Sequence, residues 1–117
     1  MTVENEPIDI QLIRDMLYND EAYVDEFCEA SVTSFQEFND NFKKNMLEED
    51  IENLRRTGHK IKPVAKMLKL DPILEIYEKS KVLLTDGVDQ KLKMQYVNEM
   101  DQYCQRILEQ LERRASD

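Results

Sequence analysis

The sequence predicts an all-α fold: an antiparallel up-down-up-down four-helix bundle with a short additional N-terminal helix. Three observations carry this expectation. Two Gly and three Pro among 117 residues leave little turn chemistry, while Glu, Lys, Leu and Met supply good helix formers. No segment sustains the alternation of apolar and polar residues that a half-buried strand requires. Apolar residues instead recur at three- and four-residue spacing, the pattern of a bundle seam.

Taken in order, a short amphipathic stretch from Asp9 to Leu17 places Ile10, Ile13, Met16 and Leu17 on one side. Asn19-Asp20 then offers an N-cap for a long helix from Glu21 to about Asn45. Its seam is Val24, Cys28, Ser31, Phe35, Phe38 and Phe42, widened by Phe27. Asp50 is the expected cap of the next helix, which runs to about Lys69 on a seam of Ile51, Leu54, Gly58, Ile61, Ala65 and Leu68. Asp71-Pro72 resets the chain, with Asp as cap and Pro at the first helical position. The helix that follows, to about Leu84, carries Ile73, Ile76, Tyr77, Leu83 and Leu84, and Thr85-Asp86-Gly87 ends it. A final helix from about Asp89 to Ala115 has the seam Val97, Met100, Cys104, Ile107 and Leu111. Short connections favour antiparallel neighbours, and residues 1–117 are expected to form one domain, too small to hold a separate nucleotide-binding unit.

Composition narrows the function classes. The acidic opening MTVENEPID is not a signal peptide, and no stretch approaches the roughly 18 apolar residues of a membrane span, so a cytoplasmic protein is expected. Cys28 and Cys104 match no metal-ligand spacing and lie on apolar stripes, as reduced core cysteines do. A formal net charge of −9 argues against nucleic-acid or anionic-membrane partners. That charge is unevenly placed. From Asn53 to Leu70 there is no acid, but there are Arg55, Arg56, Lys60, Lys62, Lys66 and Lys69. The only histidine, His59, lies inside this window.

Helical geometry decides where His59 points. At about 100° per residue it lies roughly 130° from the mean direction of its helix seam, so it should face solvent. Arg55, Lys62, Pro63 and Lys66 share its face. Gly58 and Pro63 are both unfavourable inside a helix, by about 1 and 3 kcal/mol respectively. Their position beside an exposed histidine suggests a functional constraint, although tight packing alone could explain Gly58. Neutral imidazole is a nucleophile near neutral pH, and a phosphoryl group on it would carry negative charge close to Lys62 and Lys66, with Arg55 one turn earlier. One His with no nearby Cys and no acidic ligand on that face makes a poor zinc site. No nucleophile–base–orienter set for a hydrolase can be proposed.

At these residues the sequence resembles the histidine-containing phosphotransfer (HPt) family. The stretch LRRTGHKIKP, from Leu54 to Pro63, is similar to the family pattern of a small residue, His, any residue, an aliphatic, Lys and then usually Gly. The resemblance implies that His59 is the phosphoacceptor and that Lys62 sits beside the phosphate. Gly58 matches the small position, and Pro63 stands where the family usually has Gly. It further implies a monomeric phosphoryl carrier of a two-component phosphorelay. Such a carrier has no ATP-binding kinase motif and no cofactor of its own. His59 would accept the group from an aspartate on the receiver domain of a hybrid sensor kinase, and a receiver aspartate of a response regulator would take it onward. The receiver would supply magnesium.

Two other readings stand beside it. The dimerisation domain of a sensor histidine kinase also has Pro four residues after its histidine, but carries an acid directly after it, where this chain has Lys60. A non-catalytic helical adaptor would make His59 incidental.

Overall fold

The computed structural model describes residues 6–116, and the first five residues of the acidic opening lie outside them. Five α-helices and no strand are found among the described residues: α1 (Ile10–Met16), α2 (Glu21–Leu47), α3 (Ile51–Met67), α4 (Asp71–Asp86) and α5 (Gln90–Ser116). In contact, α3 lies on α2 and α4, α5 lies on α4 and most extensively on α2, and α1 rests against α2.

The starts of the helices follow from their side chains. Asp9 Oδ1 accepts from the Gln11 amide, Asp20 Oδ1 from Ala22 and Tyr23, Asp50 Oδ1 from Asn53, and Asp89 Oδ1 from Lys91 and Leu92. Each satisfies amide donors that a helix start leaves without partners. Asp71 does not act in this way. It lies inside α4, and the cap position is Leu70, which makes no side-chain cap bond.

How α3 ends explains the difference. Lys69 adopts φ 57°, and the Leu70 amide donates to the Ala65 carbonyl at 2.8 Å, a Schellman termination. Leu70 is fully buried, so it closes α3 and opens α4 at once, and the helix begins one residue earlier than a capping Asp would require. The same device closes α1, where Tyr18 has φ 56° and Asn19 donates to Arg14, and α2, where Glu49 has φ 54° and Asp50 donates to Asn45. Only the α4–α5 turn uses a glycine for its positive φ, Gly87 at 134°.

The seams form the core. Val24, Cys28, Phe35, Phe38 and Phe42 of α2, Leu54, Ile61 and Ala65 of α3 with Leu68 at its C-cap, and Val97, Met100, Cys104, Ile107 and Leu111 of α5 are all buried. Ile51 and Leu84 are half-buried and pack on its margin. Cys28 and Cys104 are free thiols; burial raises both, Cys104 to about 12, which keeps them protonated and unreactive near neutral pH. Two buried amide side chains are satisfied: Asn39 Nδ2 donates to Asp101 Oδ1 at 2.8 Å, and the Gln110 amide exchanges two bonds with the Ile8 backbone. No helix among the described residues is long and apolar enough to cross a membrane.

Candidate functional site

The site is built on the middle of α3. His59 is exposed, as are Arg55, Pro63 and Lys66 on the same face, and Lys62 is half-exposed. Their spacing of four, three and four residues makes one continuous stripe along the helix. The helix runs on through Pro63, which lacks the N–H that would otherwise meet the His59 carbonyl.

Gly58, the residue before His59, is buried for a definite reason. A Cβ built there would fall 2.0 Å from Tyr77 Cζ and 2.1 Å from Cε1. The ring of Tyr77, on α4, occupies the place a side chain would take. Its hydroxyl donates to the Arg55 carbonyl at 3.4 Å, and burial pushes the phenol up from its usual range. Gly58 is therefore a seat for an aromatic ring, and packing accounts for it without any direct part in chemistry.

The expectation of cations without a carboxylate holds along the helix from Asn53 onward, with Glu52 two turns before His59, and does not hold for the assembled surface. Glu78 of α4 reaches across: its Oε2 is 4.0 Å from Lys62 Nζ and its Oε1 is 3.1 Å from Lys81 Nζ. Lys81 Nζ lies 4.8 Å from the centre of the Tyr77 ring, a cation–π distance. On the α2 side of α3, a groove of about 270 Å³ is lined by Phe38, Asn41, Ile61, Pro63 and Val64, with Lys60 among its polar residues. Among the described residues no group of three or more His, Cys, Asp or Glu side chains is placed to hold a metal ion.

Family models, curated proteins and solved structures alike offer no match to this chain.

The structure thus keeps Arg55, His59, Lys62, Pro63 and Lys66 together on one face, with Gly58 buried on the seam as expected. Sequence reasoning missed Glu78 and Lys81, and it placed Tyr77 in the core without pairing it to Gly58. The i,i+3 spacing of Glu78 and Lys81 was a readable signal of their own pairing. The contact of Glu78 with Lys62 joins two helices whose relative register no local pattern encodes.

Proposed function

We propose that this chain is a phosphotransfer protein that carries a phosphoryl group on His59. The observation that carries the reading is an exposed imidazole at mid-helix on a face shared with Arg55, Lys62 and Lys66. The resemblance of LRRTGHKIKP to the HPt pattern supports it. In the reaction, a lone pair on one imidazole nitrogen forms a P–N bond as the acyl P–O bond of a receiver's aspartyl phosphate breaks. The bonding pair leaves with the carboxylate, and the ring keeps its existing N–H proton on the other nitrogen. Onward transfer reverses these events on a second receiver. Lys62, Lys66 and Arg55 offset charge on the transferring oxygens. The receiver brings magnesium, and this chain brings the positioned nucleophile.

The reading includes an antiparallel up-down-up-down arrangement of α2 to α5, which the contacts of each helix with its chain neighbours and of α5 with α2 support, and a monomeric state. The receiver would dock over the groove between α2 and α3, where exposed Pro63, on the His59 face, and half-buried Val64 offer apolar surface above the buried Phe38 and Ile61.

Pro63, four residues after His59, favours a second reading, the dimerisation hairpin of a histidine kinase; Lys60 in place of an acid speaks against it. A panel of receiver domains loaded with acetyl phosphate separates the two. Rapid, preferential transfer from one receiver to a monomeric protein is expected. Labelling by ATP alone with an obligate dimer would point to the kinase hairpin, and no labelling by any receiver to an adaptor.

A further inference from the structure

Glu78 holds a position that the basic face of α3 does not explain. Its carboxylate is shared between Lys81, at 3.1 Å, and Lys62, at 4.0 Å. Lys81 is itself fixed against the Tyr77 ring, and that ring is seated on Gly58. These side chains link the residue just before His59 to the residue three after it, through α4.

We propose that Glu78 is a positioning residue that competes with the phosphoryl group on His59 for Lys62, and so keeps the phosphohistidine ready for onward transfer. This inference rests on the phosphotransfer reading. Glu78 forms and breaks no covalent bond: the P–N and acyl P–O bonds exchange as described above, and Glu78 acts only by holding or releasing the Lys62 ammonium.

Three features support the exchange. The Lys62–Glu78 contact is at the outer limit of an ion pair, and the two side chains are 38% and 53% exposed, so it is weak and opens readily. When Lys62 turns to a phosphoryl group, Glu78 keeps Lys81 at the shorter distance, and no carboxylate is left without a cation. Finally, a carboxylate that reaches Lys62 places negative charge close to where Lys62 would meet phosphoryl oxygens. Like charges there raise the free energy of the loaded state relative to the free one.

The test is the equilibrium ratio of phosphohistidine to phosphoaspartate, measured with the full chain and a receiver domain loaded by acetyl phosphate. Glu78→Gln should move the ratio toward phosphohistidine by roughly two- to fivefold, the range expected of one solvent-exposed charge pair. The shift should shrink at high ionic strength, and thermal unfolding should match wild type. In a Lys62→Ala background the same substitution should shift the ratio clearly less, because only the weak direct repulsion between Glu78 and the phosphoryl group then remains. An unchanged ratio in Glu78→Gln, or an undiminished shift without Lys62, would overturn the proposal while the phosphotransfer reading stands. A wild-type chain that takes no label from any loaded receiver overturns that reading, and this inference with it.

Discussion

Two sides of the molecule are held together by different means. On one side α2 and α5 bury Phe35, Phe42, Met100, Cys104 and Ile107 completely and add the Asn39–Asp101 bond. On the other, α3 and α4 also bury Leu54, Ala65 and Ile73 completely, but they add a tyrosine ring seated on Gly58, and their rim closes with Glu78 between two lysines. The first side derives its stability from apolar area removed from water. The second leaves its ion pairs half in solvent, where each is worth little and is easily exchanged. Under the proposed phosphotransfer, this contrast would let the α3 face change charge without loosening the fold.

The comparison breaks most visibly at α2. Phe35→Ala removes a fully buried ring and should cost about 3–5 kcal/mol in urea unfolding; a loss below about 1 kcal/mol would mean that α2 is not the stabilising side. Gly58→Ala comes next. With its Cβ 2.0 Å from the Tyr77 ring, it should destabilise by about 1–3 kcal/mol. In a Tyr77→Ala background the same change should be neutral or stabilising, because only the helix preference for Ala, about 1 kcal/mol, then remains. A double-mutant cycle measures this coupling, and additive effects would show that the ring is not what Gly58 accommodates.

The seams, and with them the core, were legible in the sequence because burial on a helix repeats every three or four residues. The caps Asp20 and Asp50 were legible because a short acidic side chain before an apolar run has few other uses. Asp71 misled for a physical reason: Leu70 serves both the end of α3 and the start of α4, and the left-handed Lys69 that makes this possible has no glycine to announce it. His59 and its cations were legible because they lie on one helix. Glu78 and the Tyr77–Gly58 contact were not, because they depend on how two helices are set against each other.

A smaller effect sharpens the α3 side. Pro63→Ala returns an N–H to the His59 carbonyl within an unbroken helix and should raise stability by about 1–3 kcal/mol. No gain in chemical denaturation would mean that the carbonyl is already satisfied in another way.

The most direct measurement of the central claim is phosphoryl labelling of wild type and His59→Gln by the same loaded receiver domain. Wild type should acquire acid-labile, alkali-stable label. His59→Gln should acquire none while keeping its full helical circular dichroism, since residue 59 is exposed and takes no part in the core. Label that persists in His59→Gln, or a wild type that no receiver labels, would contradict the assignment of His59 as the phosphoryl acceptor.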